Sequence, residues 1–232
     1  MTTDKTAITV DVVSDVVCPW CFIGMKRLDH AIEMAPEVDV HVRWRPYQLD
    51  PTIPREGVPR REYMLAKFGS EEKLKEIHDR IVALGEVEGI RFNFSAIRTA
   101  ANTLDAHRLI RWAGSPKSPA GTQQRAVRRL FELNFEEGRD IGNRAVLTDL
   151  AAELDMDAAL VETLLSSPAD EDSLRAEISS AAQMGITGVP CFLLEGKYAV
   201  MGAQDASTLA DALRQVATAK ARGELDREQA AG

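Results

Sequence analysis

Three short segments at the start of the chain differ in the spacing of their apolar residues. Residues 8–13 and 38–46 alternate between apolar and polar side chains, which predicts two β-strands. Residues 22–35 place apolar side chains three or four positions apart, which predicts a helix between the strands. Because a crossover of this kind is right-handed and joins parallel strands, the segment predicts a βαβ unit.

Between about residue 60 and residue 186 the apolar spacing is helical throughout. The repeats predict about six helices, which is too much periodic sequence for a loop. The apolar stripes lie at residues 74–84, 106–113, 127–131, 147–154, 160–165 and 174–182. We therefore predict that residues 56–186 form an all-helical domain inserted after the second strand.

Strand-like sequence returns after this helical block. Residues 191–194 and 198–201 are separated by a short turn around Gly196, which predicts a β-hairpin, and a final helix is expected to follow Asp205. The element order is then βαβ, helical insertion, ββα, which is the order of a thioredoxin-like α/β fold interrupted after its second strand. We expect residues 1–55 and 187–232 to form this discontinuous domain.

The charge of the chain argues against some classes of binding partner. The 232 residues carry a formal net charge of −8, which argues against a nucleic-acid or anionic-membrane partner, since both usually require a basic surface. No apolar stretch approaches the roughly 18 residues of a membrane span. The first residues contain no apolar signal segment, so we expect a cytoplasmic protein.

The tetrapeptide Cys18-Pro19-Trp20-Cys21 holds two of the three cysteines at the junction between the first strand and the first helix. A helix N-terminus favours an anion, and a thiolate is the nucleophile in disulfide exchange. We predict that Cys18 attacks and that Cys21, one turn further on, resolves the mixed disulfide. Pro19 suits the first helical position, and Trp20 offers an apolar surface to a substrate.

Two other roles for a Cys-x-x-Cys pair can be weighed. Structural zinc needs four ligands, and the chain offers only one further Cys and four scattered His residues, so no metal site is predicted. A structural disulfide closing so short a loop adds little stability and is uncommon in the cytosol. No bound cofactor is expected for dithiol chemistry.

Several motifs together resemble the DsbA superfamily of thioredoxin-fold proteins, in particular its FrnE-like, predominantly cytoplasmic branch. The resemblance extends over nearly the whole chain and is more specific than the cysteine pair alone. The motifs are residues 14–24, Asn102-Thr103 with Ala106-His107-Arg108, residues 185–190, and Met201-Gly202-Ala203-Gln204.

The resemblance implies a thiol–disulfide oxidoreductase with a redox-active disulfide. It also implies that Pro190 is a cis-proline beside the cysteine pair and that the backbone of Val189 pairs with an extended substrate peptide. From the sequence alone, without the family pattern, a trans proline at the start of a strand is the favoured interpretation of Pro190. Asp15 is either a proton relay for Cys21 or a loop carboxylate, and His107 either faces the site or is a structural hydrogen-bond partner.

Cys191 departs from the family pattern, which would place an aromatic or aliphatic residue there. Strand alternation turns its side chain away from the face that Pro190 presents to the site. A small buried apolar residue is the favoured interpretation. The alternative is a third redox thiol that pairs transiently with Cys18 or Cys21.

Two other functions stay open. Kappa-class glutathione transferases and 2-hydroxychromene-2-carboxylate isomerases share this scaffold, but typically carry Ser at the position of Cys18, so the presence of both cysteines favours redox chemistry. The non-enzymatic alternative is a stress-linked holdase or a polyketide-pathway accessory protein that uses the substrate groove beside the cysteine pair only to bind. The expected partners are thiol- or disulfide-containing proteins or peptides, with glutathione as a candidate co-substrate, and the protein is either a monomer or a homodimer.

Overall fold

The computed structural model of the protein describes residues 5–225. In chain order the elements are β1 (Thr6–Ser14), α1 (Pro19–Met34), β2 (Val38–Pro46), β3 (Val58–Pro59), α2 (Arg60–Phe68), α3 (Glu71–Val87), β4 (Thr99–Ala100), α4 (Leu104–Ala113), α5 (Thr122–Phe135), α6 (Arg144–Glu153), α7 (Ala158–Leu165), α8 (Glu171–Gln183), β5 (Cys191–Leu194), β6 (Tyr198–Met201) and α9 (Ala206–Ala221). The predicted α/β fold with a helical segment after the second strand is confirmed.

The main sheet has the strand order β2-β1-β5-β6. The parallel pairing of β1 with β2 aligns Val10 with Val42, as predicted for a βαβ unit. Strand β5 pairs antiparallel with both β1 and β6, so the predicted hairpin is also present. This order places the end of β1, which leads into the cysteine motif, next to the start of β5.

The two faces of the sheet are covered differently. Helices α1 and α9 pack against each other, and α9 also packs on β1. Val12 and Phe192 belong to the large apolar core together with Cys18 and Cys21. On the other face, Val13 and Cys191 pack with residues of α8 and the segment that follows it. The alternation of side chains along β1 and β5 thus separates the three cysteines between two faces.

Seven helices, not the expected six, lie between β2 and β5 in the described residues. The additional one is α2, whose 9 residues, Arg-Arg-Glu-Tyr-Met-Leu-Ala-Lys-Phe, include no fully buried side chain and are too few to show a helical period. The two-residue strands β3 and β4 pair antiparallel and are likewise too short to show a period. The boundaries of the inserted domain, at residues 56 and 186, stay a prediction.

A cluster of phenylalanines connects the motif helix to the inserted helices. Phe22, the residue after Cys21, stacks on Phe131 with ring centroids 5.1 Å apart and meets Phe92 edge-on at 5.9 Å. Phe92 in turn stacks on Phe94 at 5.1 Å. These contacts hold the start of α1 against α5 and the loop before β4.

None of the helices within residues 5–225 is both long enough and apolar enough to cross a membrane.

Candidate active site

Cys18 occupies the N-cap position of α1, with extended backbone angles, and Pro19 is the first helical residue, as predicted. The amide of Cys18 donates to the carbonyl of Asp15 at 3.0 Å, and its own carbonyl accepts from the amides of Cys21 and Phe22. The helix therefore begins at the cysteine itself. No side chain caps this end, so the positive end of the helix dipole is open to a charge on the Cys18 sulfur.

Cys21 lies one turn further along α1 and is 1% exposed. Burial, together with the hydrogen bond and charge of Cys18, raises its pKa well above the ordinary thiol value, while contacts from Ser14 and the Asp15 backbone act in the opposite direction. The Ser14 hydroxyl is buried and has no hydrogen-bond partner of ordinary geometry within the described residues. Burial thus favours the thiol form of Cys21, while the neighbouring Ser14 hydroxyl favours its thiolate.

The peptide bond between Val189 and Pro190 is cis, and the carbonyl oxygen of Val189 lies 3.8 Å from the Cys18 sulfur. Close contact here depends on Gly24 in α1. A Cβ atom at Gly24 would lie 2.8 Å from Cγ of Pro190 and 3.2 Å from the ring of Phe192. The absence of a side chain at Gly24 lets α1 and the Pro190 segment meet beside the cysteine pair.

Asp15 and His107 meet behind the motif although they are 92 positions apart in the sequence. Both are buried, and Nε2 of His107 lies 2.9 Å from the carbonyl oxygen of Tyr47 and 3.4 Å from Oδ1 of Asp15. A carbonyl can only accept, so Nε2 carries the hydrogen. The second carboxylate oxygen of Asp15 accepts from the amide of Leu49 at 2.8 Å. The pair joins the motif loop to α4.

Cys191 is completely buried on the opposite face of the sheet from the cluster that contains the motif. It is paired with Val13 across β1 and β5 and packs against Ala181 and Ile186. Burial raises the pKa of this thiol as well. The surroundings of Cys191 are those of a small apolar core residue.

A cleft of about 360 Å³ opens over Cys18. One wall is formed by the motif and by Val189, including the half-buried Pro19 and Trp20. The other wall comes from α2, α3 and the segment around Phe94, so it belongs to the helical segment between β2 and β5. A volume of this size suits a small organic molecule or a short stretch of peptide.

The cleft also contains residues that sequence patterns did not single out. Arg60, His78 and Phe94 contact one another there, from α2, α3 and the loop before β4. Their separation in the sequence leaves no local motif, and only the fold brings them together. Gly24 lies inside the recognised motif, but its contact with Pro190 also depends on the fold.

Within residues 5–225, no group of three His, Cys, Asp or Glu side chains is arranged to hold a metal ion.

A family model described as the DSBA-like thioredoxin domain matches residues 9–214. A crystal structure of a probable DsbA oxidoreductase from Streptomyces coelicolor is 32% identical, has a TM-score of 0.81, and covers 90% of this chain and 89% of its own. An uncharacterized protein of Bacillus subtilis, YwbO, is 27% identical over 84% of this chain and 90% of its own length.

A more distant solved structure shares the fold. It is the cytosolic disulfide reductase DsbM from Pseudomonas aeruginosa, solved with GSH, with 19% identity and a TM-score of 0.56. The similarity covers 92% of this chain and 99% of that one. These matches therefore cover both the sheet with its cysteine motif and the helices between β2 and β5.

Proposed function

The chain belongs to the DSBA-like thioredoxin domain family, and on that premise we propose that it exchanges disulfides through Cys18 and Cys21. The family comprises disulfide oxidoreductases and isomerases, and the chain is an enzyme of this kind. The resemblance to the DsbA superfamily that the motifs indicated is thereby confirmed. The single observation that carries the proposed chemistry is the position of Cys18, at the uncapped N-terminus of α1 and on the floor of the cleft.

The proposed reaction has two displacements. The Cys18 thiolate attacks one sulfur of a substrate disulfide, which forms a mixed disulfide and releases the other sulfur as a thiolate. Cys21 then loses its proton and attacks the Cys18 sulfur, which releases the second substrate sulfur and leaves a Cys18–Cys21 disulfide. Two electrons pass from the dithiol to the substrate, and the reverse sequence oxidises a substrate dithiol.

The pKa shift of Cys21 fits this order of events. While Cys18 is a thiolate, its charge and hydrogen bond help to keep Cys21 protonated. Once Cys18 is in a mixed disulfide, both contributions disappear and the pKa of Cys21 falls. Burial, the largest cause of the raised pKa, persists at that stage, so in this proposal a base takes the Cys21 proton before Cys21 attacks.

The neighbouring residues receive supporting roles in this proposal. Pro19 and Trp20 line the entrance of the cleft, and the Val189 and Pro190 backbone offers a hydrogen-bonding edge to a peptide substrate. We assign Asp15, held by His107, as the proton acceptor for Cys21, and Cys191 as a core residue without a redox role.

Glutathione is proposed as a co-substrate, supported by the GSH in the DsbM structure. A cytoplasmic location stays a prediction.

Replacing Cys21 with Ser is expected to trap the first intermediate. With Cys18 intact and no resolving thiol, incubation with bis(2-hydroxyethyl) disulfide should leave one mercaptoethanol unit on Cys18, which intact-mass spectrometry detects. The wild-type protein should pass through this adduct to an internal disulfide. A Cys21→Ser protein that never forms the adduct would refute the assigned roles.

The same variant separates the glutathione-transferase or isomerase alternative from disulfide exchange. A conjugation or isomerisation that uses Cys18 alone does not need a resolving thiol, so Cys21→Ser should retain such an activity in full. Complete turnover of disulfides, in contrast, should be lost. Measuring both activities in one preparation decides between them.

A further inference from the structure

The cleft wall opposite Cys18 contains a positive charge without a negative partner. The Arg60 guanidinium is half-buried, and no carboxylate within residues 5–225 forms an ion pair with it. Its contacts are the carbonyl oxygen of Phe94 at 3.5 Å, the Phe94 ring at 5.5 Å and Nε2 of His78 at 3.4 Å. Burying a charge without a counter-ion is costly, so this arrangement favours an external anion.

His78 does not compete for that role. Burial and the charge of Arg60 lower the pKa of His78 to about 4, so the imidazole is neutral at pH 7. A guanidinium can only donate, so Nε2 of His78 accepts from Arg60. The ring of His78 also stacks on Phe94, with centroids 4.1 Å apart. These two aromatic side chains hold the guanidinium in place without neutralising it.

The two carboxylates of the cleft are already engaged. Hydrogen bonds from Thr52 and Tyr63, together with the charge of Lys67, hold the pKa of Asp50 below its usual range. The two oxygens of Asp15 face the amide of Leu49 and the ring of His107. Lys67 also lines the cleft and forms no ion pair with a carboxylate among the described residues, but its side chain is exposed to water and contacts the hydroxyl and ring of Tyr63. Arg60 is therefore the half-buried charged group of this cleft, among the described residues, that has no counter-ion.

The remaining lining is mostly apolar and includes Met64, Phe68, Ile77, Ile81, Ile97 and Phe135. A ligand that satisfies the cleft would combine an anionic group with an apolar body and would be small enough for about 360 Å³. A carboxylate matches the planar guanidinium, since it can accept two parallel hydrogen bonds.

We propose that Arg60 binds the carboxylate of the substrate, so that the enzyme prefers small disulfides bearing a carboxylate on an apolar body. This inference rests on the proposed disulfide exchange at Cys18 and adds the class of substrate. The overall charge of −8 repels anions, so the preference must come from a local group, and Arg60 supplies it.

Arg61 provides a matched control for Arg60. It is the next residue in α2, its side chain is 74% exposed, and it forms an ion pair with Glu71. Replacing either arginine with Gln removes one positive charge from the same helix turn. Only the Arg60 change removes a charge that lines the cleft.

The test compares three small disulfides: anionic 3,3′-dithiodipropionate, neutral bis(2-hydroxyethyl) disulfide and cationic cystamine. Each rate is divided by that of the same disulfide with dithiothreitol, which removes differences in intrinsic reactivity. Arg60→Gln should lower kcat/KM for dithiodipropionate about 10- to 100-fold, the effect of one charge-assisted hydrogen bond. It should leave the neutral disulfide unchanged, and Arg61→Gln should leave both unchanged.

Equal losses for the anionic and neutral disulfides, or no loss for either, would overturn the proposal. Should Arg60→Gln fail to fold, a wild-type protein that turns over cystamine as fast as dithiodipropionate would still overturn the proposal. A binding titration of dithiodipropionate with the Cys18→Ser/Cys21→Ser double variant is independent of turnover. Weaker binding after adding Arg60→Gln supports the anion site even if exchange at Cys18 is refuted, and unchanged binding rejects it.

Discussion

Replacing Cys18 with Ser is expected to slow the first step of disulfide exchange by at least about 1,000-fold. A serine hydroxyl at the N-cap of α1 is not ionised near neutral pH and is a poor nucleophile toward sulfur, whereas Cys18 can present a thiolate at the open helix end. The measurement is a single turnover of reduced protein with excess bis(2-hydroxyethyl) disulfide, quenched with acid and analysed by mass spectrometry.

Cys191→Ala is the matched control for this loss. It removes the third thiol from the opposite face of the sheet and leaves the residues around Cys18 intact. It should keep the wild-type rate. Exchange that survives Cys18→Ser but disappears with Cys191→Ala would transfer the nucleophile to Cys191 and contradict the account of the site.

Replacing Arg108 with Leu is expected to lower the free energy of unfolding by about 3–5 kcal/mol, the cost of removing one member of a buried ion pair. The Arg108 side chain is fully buried and lies 2.7 Å from Asp105. It also donates to carbonyls at the end of α7 and in the turn after it, at Leu164, Ser167 and Ala169, over 2.6 to 2.9 Å. Leucine would leave these carbonyls without a donor, and the buried Asp105 carboxylate would keep only the longer contacts with Arg55 at 3.4 Å and Arg144 at 3.6 Å.

Urea denaturation followed by circular dichroism measures this effect. Arg144→Gln is the control, because Arg144 approaches the same Asp105 carboxylate at 3.6 Å but is 48% exposed. It should cost less than about 1 kcal/mol. Arg108→Lys, which retains the charge but not the five donors, should fall between the two. Equal unfolding midpoints for Arg108→Leu and Arg144→Gln would show that Arg108 does not secure the end of α7.

The parts of the fold with a regular apolar period could be predicted from the sequence. The alternation in residues 8–13 and 38–46 gave the parallel pair β1 and β2, and the six apolar stripes correspond to α3 through α8. Helix α2 escaped prediction because it buries none of its residues. A short helix with no fully buried residue does not need regularly spaced apolar side chains, so its sequence shows no helical period.

The candidate site divides in the same way. Cys18 and Cys21 could be located because four consecutive residues place both thiols on one helix turn. The contact between Asp15 and His107 depends on how the helices pack against the sheet, which no local pattern encodes. The same holds for Arg60 beside His78 and Phe94. The position of Asp15 before Cys18 and the family pattern around His107 made each a candidate, but neither indicated that the two side chains meet.

In the proposed reaction Cys18 and Cys21 form one reversible dithiol pair, and disulfide mapping can detect that pairing. Reduced protein is incubated with glutathione disulfide, free thiols are alkylated under denaturing conditions, and the chain is digested with trypsin. The peptide of residues 6–26 carries both motif cysteines, and the peptide of residues 176–197 carries Cys191. We predict that the first becomes resistant to alkylation and lighter by a pair of hydrogens, while Cys191 is alkylated. Full alkylation of both peptides, or a disulfide that includes Cys191, would contradict the account.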